Sequence, residues 1–198
     1  MSINSLVSQA SIVSNDPVRV NTAISGRESR SQISSQYWTI NVTLRTLSET
    51  ETRTVMALIA TAKTGLNTFS YTPAFATNAS TYSATIVAPS GASVAATSMT
   101  VRSGTNPSGQ NPIKAGEFFK FANHNKVYMA TSDLTLTLSG ANYDGTLSFY
   151  PALQASVAVN EVITYTSVPF TVRLASDPGL AIGLELFGGM QMDLKEVI

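Results

Sequence analysis

Cysteine is absent from the 198 residues, and histidine and tryptophan each occur once. Without thiols there is no disulfide framework, no thiolate nucleophile and no zinc site built on sulfur. A single histidine, His124, rules out two-histidine metal sites and facial triads. Charge is also scarce: 12% of residues are charged, where a globular domain carries about a quarter. The net charge is zero and the pI is near 6.6, which argues against a free nucleic-acid binder with a clustered basic face. No window approaches the roughly 18 consecutive apolar residues that span a membrane. The N-terminus has neither a basic run nor a continuous apolar stretch, so no signal peptide is expected. The expected product is made in a cytoplasm and contacts no membrane. Asn41-Val42-Thr43 and Asn78-Ala79-Ser80 then match the glycosylation pattern only by chance.

Serine and threonine take the place of the missing charge, at about a quarter of the residues. A chain with 43% hydrophobic residues has too much apolar surface to stay disordered. Near-zero net charge disfavours a free monomer and suits an assembly.

Most of the chain reads as strand. Residues 37–44 place Trp38, Ile40, Val42 and Leu44 on one face and polar groups on the other, the period-2 pattern of a half-buried strand. Residues 67–72, 82–87, 94–102, 126–131, 134–138, 146–150, 162–166 and 170–174 are further strands, rich in β-branched and aromatic residues. Asp144-Gly145 is expected to close a hairpin. One helix stands out at about 49–64. Ser48-Glu49-Thr50-Glu51 fits a capping box, acidic residues occupy the first turn, Lys63 the last, and Gly65 the C′ position. The fold class is therefore mainly β, an antiparallel sandwich or barrel with one α-helix.

The chain reads as a single β-rich domain over 1–198, with a possible sub-barrel at 113–170. Residues 1–15 are polar and are expected to order only against a neighbour. Residues 103–112 hold breakers and almost nothing apolar, and read as a flexible hairpin tip or an exposed arm. Charge is divided along the chain. Residues 1–126 hold ten basic and five acidic groups, or +5, and 127–198 hold two basic and seven acidic, or −5. That division fits either two faces of one monomer or successive copies meeting basic side to acidic side.

The inventory of chemistry is thin. His124, between two asparagines, reads as a turn residue rather than a catalytic base. Glu49 and Glu51 are explained by capping, and no Asp-x-Asp run suggests a calcium loop. Glu117 with Asp133 or Asp144 is the only carboxylate pairing worth naming, and no spacing supports it. No phosphate-cradling glycine motif occurs. Gly188-Gly189, inside an apolar run at 184–194, reads as a bulge or close approach. Arg27-Glu28-Ser29-Arg30 reads as a solvated loop. Phe118, Phe119, Phe121, Tyr128, Phe149, Tyr150 and Tyr165 read as barrel interior rather than a stacking platform. The expectation is no catalytic residue, no cofactor-binding residue and no metal ligand.

Several stretches in order resemble a family. Residues 36–42 (Gln-Tyr-Trp-Thr-Ile-Asn-Val) precede Leu47-Ser48-Glu49-Thr50-Glu51, one helix, and Gly65-Leu66-Asn67-Thr68-Phe69-Ser70-Tyr71-Thr72-Pro73. These are similar to the distal tail and minor tail-tip proteins of long-tailed bacteriophages. Residues 114–121, 126–129, 145–153, 168–174 and 192–197 are similar to later stretches of those proteins, so the likeness runs from about residue 30 to the end. The resemblance implies a β-barrel or sandwich with one helix, assembled as a homo-hexameric ring beneath the tail tube. It implies a virion protein, a baseplate or tail-tip adaptor whose partners are itself, the tail tube protein and the hub or fibre proteins. Genomic DNA would pass through its lumen without specific binding. The chain lacks the extended carbohydrate-binding domain of larger members. The alternatives are a tail-tube or head-decoration subunit, or a carbohydrate-binding module in which Trp38 is the first residue to test.

Overall fold

The computed structural model describes residues 3–32, 34–62, 67–78, 80–176 and 190–198. It is mainly β with one α-helix, and its sheets are antiparallel. In chain order the elements are β1 (Val7–Asn15), β2 (Val18–Thr22), β3 (Glu28–Gln32), β4 (Tyr37–Leu44), α1 (Glu49–Ala62), β5 (Phe69–Tyr71), β6 (Ile86–Ala88), β7 (Ser98–Ser103), β8 (Phe118–Phe121), β9 (Val127–Ala130), β10 (Thr137–Ser139), β11 (Asn142–Tyr150), β12 (Glu161–Thr164), β13 (Phe170–Leu174) and β14 (Gln191–Glu196). The expected single domain resolves, by its contacts, into two compact units. One holds Ile3–Phe69 with Val172–Val197, the other Ser70–Thr171.

The first unit is built on β1, β4, β14 and the end of β13 from Val172, neighbours in that order. Strand β4 spans the expected residues, and its Trp38, Ile40, Val42 and Leu44 are buried. Residue alternation alone places them, because successive side chains of a strand point to opposite faces. On β14, Met192 and Leu194 are buried by the same alternation, opposite Val42 and Ile40. Helix α1 buries Val55, Leu58, Ile59 and Ala62. Its capping box forms as the sequence predicts. The Glu51 amide donates to Ser48 Oγ at 3.4 Å, and the Ser48 amide donates to Glu51 Oε2 at 2.9 Å. Lys63, Thr64, Gly65 and the Gly188-Gly189 pair lie outside the described residues.

The N-terminal stretch is a correction. Residues 7–15 need no neighbouring molecule to order: they form β1, antiparallel to β4 from Val7↔Leu44 to Asn15↔Tyr37. The sheet supplies the hydrogen bonds that the polar sequence cannot supply as a local hydrophobic signal.

The second unit is a closed barrel of six strands. The ring runs β11-β7-β6-β12-β8-β9 and closes where Phe149 and Tyr150 of β11 pair with Ala130 and Met129 of β9. It therefore starts at Ile86, upstream of the expected sub-barrel at 113–170, because β6 and β7 are needed to close it. Strand β8 was not among the expected strands; its Phe118, Phe119 and Phe121 are buried. Inside, Phe119, Phe121, Tyr128 and Phe149 form a ring cluster with centroids 5.5–6.3 Å apart. Edge-to-face and offset pairs at such distances stabilise beyond their buried area.

Turn chemistry supplies a second correction. The β10–β11 hairpin turns at Gly140-Ala141, between the paired residues Ser139 and Asn142. Gly140 has φ +63°, as the first central position of a tight hairpin turn requires. Asp144-Gly145 instead lies within β11, opposite Arg102 and Val101. Gly145 is there for space: a Cβ would stand 2.3 Å from the Thr135 carbonyl oxygen. Residues 82–85 are likewise not strand. Their chain is held by Tyr165, whose hydroxyl lies 3.1 Å from the Tyr82 carbonyl and 2.7 Å from that of Ala84.

Candidate assembly interface

The largest unburied feature of the first unit begins at Asp16-Pro17. Proline lacks an amide donor and fixes φ, so it interrupts a ladder. Beyond it, β2 and β3 pair, among the described residues, only with each other, from Val18↔Gln32 to Thr22↔Glu28. All ten of their residues are exposed. The tip is held by the Ala23 amide on the Arg27 carbonyl (2.9 Å) and the Gly26 amide on the Ala23 carbonyl (2.8 Å). Gly26 takes φ +79° there, a conformation cheap only for glycine.

This two-stranded arm has two unlike faces. Val18, Val20 and Thr22 share one with Gln32, Arg30 and Glu28; Arg19 and Asn21 share the other with Ser31 and Ser29. Val18 and Val20 are 45% and 49% exposed, and Ile24 at the tip is fully exposed. Arg30 pairs with Glu28 at 3.3 Å, and Arg19 Nε donates to Asn21 Oδ1 at 3.2 Å. An isolated hairpin is at best marginally stable in water, so an arm with Val18, Val20 and Ile24 uncovered gains from a partner surface. The Arg27–Arg30 patch, expected as a solvated loop, forms the tip and return strand of the arm.

Strand β1, from which the arm grows, stands at the end of its sheet. Its nine residues include no charge and no proline, the devices that usually protect an edge. The sheet's open face is polar, with its charges, Asp193, Lys195 and Arg173, on β14 and β13. Gln9, Ser11, Asn41, Thr43, Gln191 and Asp193 line a shallow groove of about 220 Å³ across β1, β4 and β14.

The residues weighed for chemistry have structural partners instead. His124 lies in a turn, as expected, and is buried; Nδ1 sits 3.2 Å from the Tyr128 hydroxyl and Nε2 3.3 Å from the Ser156 carbonyl. A carbonyl can only accept, so the contact with Ser156 makes Nε2 a donor. Glu117 accepts from the Lys114 amide at 2.8 Å, and Asp133 accepts from the Ala115 amide at 2.8 Å and Asn111 Nδ2 at 3.0 Å. Asp144 is held by a bidentate pair with Arg102, at 2.6 and 2.8 Å. That guanidinium holds the Asp144 carboxyl below its ordinary value and is itself held more firmly protonated. Among the described residues no three His, Asp or Glu side chains gather as metal ligands would, and no helix is long and apolar enough to cross a membrane.

Two expectations about surface fail. Trp38 is only 4% exposed, because its place on β4 turns it inward, so it offers no face to a glycan. The 103–112 stretch is not a free arm. Thr105 accepts the Tyr82 hydroxyl at 2.8 Å, Gln110 Oε1 accepts Thr81 at 3.0 Å, and Pro107 and Pro112 are buried. The real arm, residues 18–32, was legible only as the Asp16-Pro17 break, the alternating Val18 and Val20, and the Ser25-Gly26 turn.

No family model matches the chain, and no curated protein matches its sequence.

Proposed function

We propose that this protein is a structural virion component, a distal tail or tail-tip adaptor of a long-tailed bacteriophage that assembles with copies of itself as a ring. In that role it joins the tail tube to the hub or receptor-binding parts, and DNA passes through the lumen without specific contacts. The observation that carries the reading is the exposed arm, with Val18, Val20 and Ile24 uncovered, beside an edge strand without protecting charge. Such a surface favours a protein partner over solvent. The resemblance over residues 30–198 supplies the phage context, and polar uncharged strand faces are buried against partners at lower cost than charged ones. The reading carries no catalysis.

Negative-stain microscopy with mass measurement in solution tests it. Closed rings with a lumen support the adaptor. Stacked tubes overturn it in favour of a tube subunit, and a strictly monomeric species at high concentration overturns both.

A further inference from the structure

Strands β1 and β2 follow one another with only Asp16 and Pro17 between them; β1 pairs with β4 and β2 with β3. Among the described residues no strand pairs with the other side of β1 or of β2, and residues 7–22 carry one acid, Asp16, and one base, Arg19. An electrically neutral edge is not repelled by its own copy. When the same edge of two identical chains pairs antiparallel, the contact is two-fold by construction: if residue i meets j, then j meets i.

The apolar pattern selects the register. In an antiparallel pair, residues directly opposite share a face. On β1 the core-side residues at the edge are Ala10 and Ile12, half-buried opposite Val42 and Ile40. On the other face Val13 is 51% exposed. With the axis at Asn15, Ile12 meets Val18, Ala10 meets Val20, and Val13 meets Pro17. Arg19 then lies opposite Ser11 and Asn21 opposite Gln9. Moving the axis to position 14 keeps only one apolar match, Ala10 with Val18, and sets Ile12 against Asp16. Moving it to 16 keeps only Ile12 with Val20 and sets Val13 against Arg19. Pairing β1 with β1 about Ser11 leaves Val18 and Val20 uncovered.

We infer that two copies of this chain pair through the edge at residues 7–22, two-fold about Asn15, so that each arm's Val18 and Val20 cover Ile12 and Ala10 of the other. Pro17 removes one donor per copy and leaves the rest of both edges to form the ladder. The contact draws on the same arm and edge as the tail-adaptor reading but not on its phage context, and where every copy makes it the number of copies is even.

The cysteine-free chain makes the test direct. Directly opposed antiparallel residues have Cα atoms about 4.5–5.5 Å apart, inside the span of about 4.4–6.8 Å that a disulfide bridges. Asn15→Cys should therefore give a disulfide-linked dimer on mild oxidation of the full-length protein. Ser11→Cys alone should give none, and the double variant Ser11→Cys, Arg19→Cys should link reciprocally. Because Asn15 Nδ2 also donates to Thr39 Oγ1 at 2.7 Å, the double variant stands as the check that does not disturb that bond. Val18→Asp with Val20→Asp, both exposed, should weaken self-association at least tenfold with the far-ultraviolet spectrum unchanged. Linking by Ser11→Cys alone without Asn15→Cys, linking by all three alike, or linking by none overturns the inference. Rings with neither the Asn15→Cys link nor the Ser11→Cys, Arg19→Cys link would leave the adaptor reading standing and remove this contact. Linked dimers that never form rings would do the reverse.

Discussion

The two units of this chain solve the problem of sheet edges in opposite ways. In the unit at Ser70–Thr171 the strands close on themselves, so each of the six barrel strands has a neighbour on both sides. In the other unit the sheet, among the described residues, stays open, ends on the nine residues of β1, and sends out an arm. Closure removes the template for further pairing, whereas an open edge without charge keeps it. The six-strand ring thus leaves only the short β10 with a one-sided pairing among the described residues, whereas the open sheet ends on a nine-residue strand. Burial does not follow the same division: the barrel's aromatic rings are hidden, but Val94, Leu138, Val159 and Val162 of that unit are exposed, as are Val13, Val18, Val20 and Ile24 of the open one.

The sharpest break in that comparison should come from the barrel interior. Phe121→Ala removes a fully buried ring and should cost about 3–5 kcal/mol, read from urea unfolding followed by near-ultraviolet dichroism of the barrel aromatics. Trp38 is the only tryptophan and lies in the open unit, so its emission reports that unit separately. Its transition should move less; an equal shift would make the two units one cooperative body.

Gly145→Val comes next, at about 1–3 kcal/mol, because the new side chain meets the Thr135 carbonyl. Hydrogen exchange should then quicken in β10 and β11 and stay unchanged in β4.

In the open unit the effects are smaller. Ser48→Ala should cost about 1 kcal/mol through loss of the cap on α1, measured by thermal melting. The same cap is sensitive to acid. Hydrogen bonds from Arg45, then from Ser48, lower the Glu51 carboxyl from 4.5 to about 2. Its contribution is fully present above about 4.5 and is lost as pH falls toward about 2. Helical dichroism should decline across that window, and Glu51→Gln should abolish the dependence. The barrel has its counterpart at high pH. Burial, and then Tyr82, raise the Tyr165 hydroxyl from 10.0 to about 12, so its contribution is lost as pH rises from about 10 through about 12. The smallest expected effect on stability is the most informative for assembly. Replacing residues 18–32 by Asn-Gly should leave unfolding within about 0.5 kcal/mol and should abolish self-association.

Local signals carried much of the fold. Alternation in 37–44 and 170–174 marks two strands to the residue, and the Ser48–Glu51 box marks the start of α1. Where signals were local but ambiguous, tertiary contacts decided. Asp144-Gly145 carries the chemistry of a turn, yet the close passage of the Thr135 backbone uses its missing side chain within a strand. Residues 103–112 carry the composition of a free loop, yet Tyr82 and Thr81 hold them down. The candidate interface was harder to read, because β1 is polar and makes sense only once β4 stands beside it.

By itself the sequence determined a mainly β chain with one capped helix, free of thiols, poor in charge and rich in serine and threonine. Those properties follow from residue type and period, which need no neighbours in space. Which strands close and which stay open was decided only by the tertiary structure. Closure depends on pairings such as Phe149 with Ala130, between residues far apart in sequence. The charge division between 1–126 and 127–198 illustrates the limit. Sequence order sorts the twelve cations from the twelve anions, but pairs such as Arg102 with Asp144 cross that boundary, because strand register and not sequence position sets which charges meet.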